Sequence, residues 1–203
     1  MYVNLDIRRI FITTLGYAIL GLLAREPLSG YDLARRTKER LGFFWQARHS
    51  QIYPELVRLE EEGMVIHKVV EQRGRPDKKV YSITDAGLEA LKGWVVEPPG
   101  PRPARDELVL KAYSLWLADP KEVFVLFREQ ERRHEEQLHR YEEIGAWMEK
   151  EWGRDLERIG SPRFASYAAL QRGILYERGY VDWCRWVANR LEKGAGGGDT
   201  GDG

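Results

Sequence analysis

The fold is decided by a stretch that reads Ser50-Gln51-Ile52-Tyr53-Pro54-Glu55-Leu56-Val57-Arg58-Leu59-Glu60-Glu61-Glu62-Gly63-Met64-Val65. Ile52, Leu56 and Leu59 recur at helical spacing and predict one buried stripe. Ser50 is a good N-cap, and Pro54 is expected in the first turn, where backbone N–H groups have no intrahelical partner. Gly63 suits a helix end in the left-handed conformation. A short amphipathic helix is therefore predicted, followed by a strand.

Two helices are predicted before this stretch. The first covers residues 13–24, and its apolar run is too short to span a bilayer, which needs about 20 residues. The second starts at Ser29. Together with Asp32, three residues later, Ser29 resembles a capping box. Its apolar positions are Tyr31, Leu33 (the weaker), Ala34 and Leu41. The outward positions are Arg35, Arg36, Lys38 and Arg40.

A hairpin and a fourth helix are predicted after it. Residues 64–70 and 79–83 are short and rich in β-branched side chains, and the polar segment 71–78 between them is rich in turn formers. Thr84 is expected to cap a helix that runs to about Val96. Three short helices, a basic hairpin and one more helix are the layout of a winged helix-turn-helix, which is a DNA-reading module.

A stiff segment, Pro98-Pro99-Gly100-Pro101-Arg102-Pro103, marks the clearest domain boundary. We therefore expect a winged helix-turn-helix domain over 1–97, a linker over 98–104, a helical dimerisation domain over 105–193 and a disordered glycine-rich tail over 194–203. The predicted fold is mainly α with a small β-hairpin, and the C-terminal domain is coiled-coil-like.

The helices of the C-terminal domain carry two recognisable patterns. Residues 105–118 predict a short helix, and Asp119-Pro120 begins a long one that runs to about Trp152. Its heptad-like seam has two rows of side chains, namely Phe127, His134, Tyr141 and Met148, with Gln130, Gln137 and Ile144 offset by three. Pro162 opens the last helix, whose predicted apolar face is Phe164, Tyr167, Leu170, Ile174, Leu175, Val181, Cys184, Val187 and Leu191.

Side chains that could contact DNA occur in two places. A recognition helix meets base edges with its N-terminal end, so the candidates there are Arg48, His49, Ser50, Gln51 and Tyr53. Gln pairs with adenine and Arg with guanine, whereas Tyr and Ser suit phosphate oxygens. The hairpin adds Arg73, Arg75, Lys78 and Lys79, which suit phosphate or the minor groove. The alternative is that both groups are ordinary capping and solvated residues.

Composition limits the other classes of function. The formal net charge is zero, so any DNA-binding field must be local. The single cysteine, Cys184, forms no internal disulfide; it is expected to be a buried apolar residue, with a redox sensor as the alternative. The histidines lack metal-site spacing, and no phosphate loop or nucleophile motif is present. We expect a cytoplasmic protein that is not an enzyme and uses no cofactor or metal.

The chain resembles the PadR family of bacterial transcriptional regulators over about residues 13 to 193. The matching pieces are Leu20-Gly21-Leu22-Leu23, Pro27-Leu28-Ser29-Gly30-Tyr31, Ile52-Tyr53-Pro54 with Leu56, Leu59-Glu60-Glu61-Glu62-Gly63 and Tyr81-Ser82-Ile83-Thr84. The longer C-terminal region is similar to the branch with a full helical dimerisation domain. The family usually has a Gly-Ser pair just before the position of Ile52, where this chain has Ser50-Gln51.

The resemblance implies a homodimeric regulator, usually a repressor, that binds an inverted-repeat operator in double-stranded DNA. Some family members respond to small aromatic or hydrophobic effectors. An effector pocket is expected between the winged domain and the C-terminal helices, with candidate residues Phe43, Phe44, Trp45, Trp94, Tyr113 and Trp116. The alternative is that these aromatic side chains only pack in the core or in an interface. Two alternatives stay open: a winged-helix docking module that never contacts DNA, and a transcriptional activator of the same fold.

Overall fold

The computed structural model describes residues 12–37, 39, 49–71, 74, 77–100 and 105–196. It divides the chain into two compact units, residues 1–100 and 101–203. The predicted fold class is confirmed, because the chain is mainly helical with one small antiparallel sheet. No helix among the described residues is long and apolar enough to cross a membrane.

The first unit contains four helices and three strands among its described residues. In chain order they are α1 (Thr14–Leu23), β1 (Leu28–Ser29), α2 (Gly30–Arg36), α3 (His49–Glu61), β2 (Val65–Val70), β3 (Lys78–Ile83) and α4 (Asp85–Val96). The sheet has the order β1-β3-β2, and both pairings are antiparallel. The sequence predicted only the β2–β3 hairpin, because the two-residue strand β1 is too short to show any alternation.

The core of the first unit joins α1, α3 and the sheet. The predicted stripe of Ile52, Leu56 and Leu59 is confirmed, since each side chain is almost fully buried. It packs in one cluster with Ile19, Leu20 and other apolar residues of α1, and with Met64, Val65 and Tyr81. This packing holds α3 against the body of the unit and fixes which side of the helix remains accessible.

The predicted inward face of α2 is wrong at one residue, Tyr31, whereas the predicted Leu33 lies in the core and Ala34 packs against it. Leu33 is fully buried, whereas Tyr31 is 66% exposed. The buried stripe runs through Gly30, Leu33 and Thr37, and the Thr37 hydroxyl donates to the Leu33 carbonyl at 2.7 Å. Positions three and four apart share a helix face, so Tyr31 lies on the other side. The short apolar pattern of this helix did not distinguish the two faces. Leu41, Lys38 and Arg40 lie outside the described residues.

The predicted C-terminal boundary of α3 is correct, whereas its predicted N-cap is wrong. The C-terminal end is as predicted: Gly63 has φ of +71°, its N–H donates to the Glu60 carbonyl at 2.9 Å, and the Met64 N–H donates to Leu59 at 2.8 Å. This is a Schellman motif. At the other end Ser50 is not the N-cap, because the helix already includes His49. Pro54 therefore lies two residues further from the helix start than predicted, in the second turn, and lacks the N–H that another residue there would donate to the Ser50 carbonyl.

The second unit contains three α-helices among its described residues, α5 (Glu107–Tyr113), α6 (Pro120–Trp152) and α7 (Pro162–Gly196). Short 3-10 turns, Leu115–Leu117 and Gly153–Leu156, precede and follow α6. The predicted helix over 105–118 is thus shorter, and Asp106 caps it by accepting from the N–H groups of Leu108 and Val109. The long helices α6 and α7 pack against each other along their length.

The seam of α6 has one row as predicted and one row displaced by a residue. Phe127 and Tyr141 are buried, but the second row contains Glu131 and Gly145, not Gln130, Gln137 and Ile144. The rows are therefore offset by four residues. The displacement has a physical cause: a charged residue is not expected in such a seam, yet the Glu131 carboxylate is buried with the guanidinium groups of Arg128 and Arg185 at 2.8 Å each.

The apolar face of α7 is largely as predicted. Leu170, Ile174, Val181, Cys184 and Val187 are buried. Leu175 is 63% exposed and does not belong to that face, because it directly follows the buried Ile174 and so points about a quarter-turn away. The helix continues to Gly196, three residues into the segment predicted to be disordered. An established helix adds a hydrogen bond with each further residue, which favours such an extension.

Candidate nucleic-acid interface

The N-terminal turn of α3 presents polar side chains to solvent. Ser50 and Gln51 are exposed, Tyr53 is 45% exposed, and Ile52 between them is buried. The helix is therefore oriented by Ile52 so that the predicted base-contacting residues lie outside. An exposed helix N-terminus also offers N–H groups and a positive dipole end to a phosphate.

Tyr53 is positioned by a glycine in the neighbouring helix. A Cβ atom built on Gly30 would lie only 2.6 Å from the Cε1 atom of the Tyr53 ring. The ring therefore rests directly on the backbone at the start of α2. This close approach sets the distance between α2 and α3, the two helices of the helix-turn-helix.

A buried carboxylate ties α3 to α1. Glu55 is 9% exposed and accepts hydrogen bonds from the Thr13 hydroxyl at 2.6 Å and from Arg58 at 2.7 Å. Thr13 also caps α1 by accepting from the Gly16 N–H at 3.0 Å. Hydrogen bonds to a charged group are stronger than neutral ones, so this network helps to hold α3 against α1.

Two of the four residues predicted to contact DNA from the wing, which is the β2–β3 hairpin, are described, and their surroundings differ. Lys79 is exposed. The Nζ atom of Lys78 instead lies 2.8 Å from Oδ2 of Asp32, in the first turn of α2. The same oxygen accepts from the Ser29 hydroxyl at 2.6 Å. The hydrogen bond from Lys78, followed by that from Ser29, holds the pKa of Asp32 below its ordinary value. Ser29 caps α2 as predicted.

The acidic end of α3 contacts the wing. Glu60 lies 2.5 Å from Nδ1 of His67 on β2, and the His67 ring packs against Tyr81 at a centroid distance of 5.5 Å. Glu61 and Glu62 are exposed. Burial, followed by the nearby Glu60 carboxylate, raises the pKa of Tyr81. The C-terminal end of α3 is therefore negative and partly occupied, which leaves the N-terminal end as the surface suited to DNA.

Several predicted site residues cannot be placed. Arg48, Arg73 and Arg75, together with Phe43, Phe44 and Trp45, lie outside the described residues, and only the backbone of His49 is described. Sequence reasoning missed Asp32 and Gly30 as parts of the site. No sequence signal links Asp32 to Lys78, because 46 residues separate them and only the fold brings them together.

The described aromatic residues of the predicted effector site are accessible. Trp94 is 37% exposed and stacks on Tyr17, with ring centroids 4.5 Å apart and planes 8° from parallel. Burial, followed by the charge of Glu97, raises the pKa of Tyr17. In the second unit, Tyr113 and Trp116 are 84% and 77% exposed. Flat aromatic surfaces of this kind can bind a flat apolar ligand by stacking.

The structure also describes the surroundings of the cysteine and of the histidine in the α6–α7 seam. Cys184 is fully buried, and burial raises the pKa of its thiol to about 11, which disfavours the reactive thiolate. Among the described residues no three histidine, cysteine or carboxylate side chains are grouped to hold a metal ion. His134 lies 2.5 Å from Glu177 at its Nδ1 atom, so it pairs with a carboxylate across the α6–α7 seam.

Comparison with known proteins agrees with this geometry. Residues 19–93 match the transcriptional regulator PadR-like family, and residues 104–192 match the virulence activator alpha C-terminal family. The negative transcriptional regulator PadR of Bacillus subtilis is 36% identical over 180 residues, covering 88% of this chain and 98% of that protein.

Two solved structures of Bacillus subtilis PadR resemble the chain throughout. The complex with operator DNA is 36% identical with a TM-score of 0.77, covering 88% of this chain and 99% of that one. The complex with p-coumaric acid is 35% identical with a TM-score of 0.71, covering 89% and 99%. Both likenesses extend over the winged domain and the long C-terminal helices, and the named relatives are regulators of transcription. The chain therefore belongs to the PadR-like family of transcriptional regulators.

Proposed function

We propose that the chain is a homodimeric repressor that binds an inverted-repeat operator in double-stranded DNA and is released by a small aromatic effector. The observation that carries the proposal is the exposed N-terminal turn of α3, a helix that the Thr13–Glu55 hydrogen bond holds against α1 and whose other end contacts the wing. The negative regulator PadR, at 36% identity, supports the sign of regulation.

The DNA contacts are assigned by chemistry. Gln51 and Arg48 read base edges in the major groove, whereas His49, Ser50 and Tyr53 contact base edges or phosphates near the helix N-terminus. Arg73, Arg75 and Lys79 contact phosphate or the minor groove from the wing. In a dimer, two copies of α3 meet successive major-groove faces about 34 Å apart, which requires a symmetric operator.

The test is binding of the purified chain to labelled DNA from upstream of its own gene, with a salt titration and random-sequence competitor. Saturable binding that survives competitor, with a symmetric footprint and two chains per site, is expected. A logarithmic salt slope of about −0.9 per phosphate contact should accompany it. Absence of binding even at low salt would contradict the proposal and favour a docking module.

The proposed effector is a small aromatic carboxylic acid. Support comes from the Bacillus subtilis PadR structure with p-coumaric acid and from the accessible aromatic residues Trp94, Tyr113 and Trp116. A ligand that binds better to the state unfit for DNA must lower operator affinity by linkage. Addition of p-coumaric acid should therefore release the operator DNA. The same release should be measured for Trp94→Ala, Tyr113→Ala and Trp116→Ala, and it should be lost where the removed ring contacts the acid.

A second candidate is activation of transcription. It is favoured by the match of residues 104–192 to the virulence activator alpha C-terminal family. The two signs of regulation differ in a simple reporter assay: with its operator placed at a promoter, the chain lowers expression if it is a repressor and raises expression if it is an activator.

A further inference from the structure

We propose that Lys78 is a positioning residue: its ion pair with Asp32 holds the distal part of the wing against the N-terminus of α2, and thereby sets where the wing meets DNA. The inference rests on the proposed DNA-binding function. It gives Lys78 a different role from that of its neighbour Lys79.

The sheet register shows why a tether is needed at this point. Strand β1 is only two residues long, and its pairing with β3 joins Leu28 to Tyr81 and Ser29 to Val80. Lys78 and Lys79 lie beyond this short ladder, where β3 pairs only with β2, Lys78 opposite Val70. At Lys78 and Lys79 the wing is therefore a ribbon of two strands only. Such ribbons are only marginally stable without further support.

The ion pair supplies that support. Asp32 is in the first turn of α2, directly after β1, and its Oδ2 atom accepts from Lys78 at 2.8 Å and from Ser29 at 2.6 Å. Arg35 lies 3.4 Å from the other oxygen, Oδ1. The carboxylate is thus held by its own helix and reaches across to the strand. It attaches the ribbon two residues past the last rung of the β1–β3 ladder.

Lys78 and Lys79 must differ in role because successive residues of a strand point to opposite faces. Lys79 is exposed, whereas the side chains of Lys78 and Asp32 are 39% and 22% exposed. A lysine bound to a carboxylate has to give up that pair before it can neutralise a phosphate. Breaking the pair would also leave the Asp32 charge facing the same region as the DNA, which would oppose binding.

The Asp32→Asn variant distinguishes two roles of Lys78, because operator binding is expected to weaken under one role and to strengthen under the other. Asparagine keeps an oxygen that can accept from Ser29, so the cap of α2 is retained while the charge is lost. If Lys78 positions the wing, both Asp32→Asn and Lys78→Met weaken operator binding, each by about two- to fivefold, as expected for a part-exposed ion pair. If Lys78 contacts phosphate, Asp32→Asn releases it and strengthens binding.

The experiment measures operator affinity as a function of salt for the full chain, Asp32→Asn, Lys78→Met and the double variant. Amide exchange of residues 78–80 is measured without DNA, with Lys79→Met as the matched control. We expect both single variants to weaken binding, Lys78→Met the more because it leaves the Asp32 charge unpaired, and the double variant to be no weaker than Lys78→Met. The salt slope should stay unchanged, and amide exchange should rise about threefold in both pair variants but not in the control.

Three results would overturn the proposal: tighter binding by Asp32→Asn, a salt slope reduced by about one unit in Lys78→Met, or unchanged exchange in both pair variants. Failure of the proposed function and failure of the Lys78 proposal give different results. If the wild-type chain binds no DNA, the proposed function fails, and the exchange measurement alone still decides whether Lys78 holds the wing.

Discussion

Glu55, in the helix proposed to read DNA, accepts a hydrogen bond of 2.6 Å from the hydroxyl of Thr13, the residue that caps α1. One hydroxyl thus caps the start of α1 and anchors α3. The buried carboxylate also accepts from Arg58, so its charge is compensated within the fold. The position of the recognition helix therefore depends on a polar network as well as on apolar packing.

Thr13→Ala should lower the free energy of unfolding by about 1–2 kcal/mol, because it removes a cap and leaves Glu55 with one donor fewer. Chemical denaturation measures the change. Thr14→Ala is the control, since Thr14 is the exposed first residue of the same helix. Equal, small losses in the two variants would mean that the Thr13–Glu55 bond contributes little.

Gly30→Ala should displace the Tyr53 ring, because the added Cβ would lie 2.6 Å from it. Overpacking of this kind costs about 1–3 kcal/mol, and operator affinity should fall by about tenfold through the shifted α3, equivalent to ~1.4 kcal/mol. Gly21→Ala is the matched control: no described atom lies within 4 Å of its Cβ, so it should be neutral or stabilising. Unchanged DNA binding by Gly30→Ala would contradict the assigned contact.

Much of the fold follows from local sequence signals, and the exceptions have physical causes. Caps at Ser29 and Thr84, and the Schellman glycine Gly63, are read directly from residue type because each requires one particular side chain or backbone conformation. The strand β1 and the partner of Lys78 were missed, because both depend on residues that are distant in sequence. Burial of Glu131 was missed because charge alone suggested exposure.

Within the candidate interface, residue types predicted the side of α3 that faces solvent, since Ile52 and Leu56 fix the rotation of the helix. They could not predict how the wing is held. Lys78 and Lys79 are chemically identical and adjacent, and only the fold gives one of them a carboxylate partner.

Variants of Gly145 test the register of the α6–α7 seam. An added Cβ would lie 3.7 Å from Ile174 and 3.8 Å from Leu170, which is ordinary contact. Gly145→Ala should therefore stabilise the chain by up to about 1 kcal/mol through helix propensity, whereas Gly145→Leu should destabilise it by about 1–3 kcal/mol. Thermal unfolding distinguishes them. Ile144 is 41% exposed, so Ile144→Ala should lower the free energy of unfolding by less than a buried Ile→Ala change does. A large decrease would instead favour the predicted seam, in which Ile144 is buried.

Cys184 gives a pH-dependent prediction. Burial raises the pKa of its thiol from 9.0 to about 11, so folding favours the neutral form. This contribution to stability is fully present below pH 9 and is lost as the pH rises towards about 11. The stability difference between the wild-type chain and Cys184→Ala should narrow over that window. A thiol reagent at pH 8 should modify the native chain only at the rate of unfolding, and fast labelling would refute the burial.

The base preference of Gln51→Ala shows whether the N-terminal turn of α3 reads bases. Affinities for a library of operator variants should be measured for the wild-type chain and for Gln51→Ala, with Glu61→Gln at the other end of the helix as control. If the N-terminal turn of α3 reads bases, Gln51→Ala loses discrimination at one base pair per half-site, worth about 1–3 kcal/mol, while preferences elsewhere persist. An equal loss of affinity on every sequence, or an unchanged preference at every position, would contradict base reading by this turn.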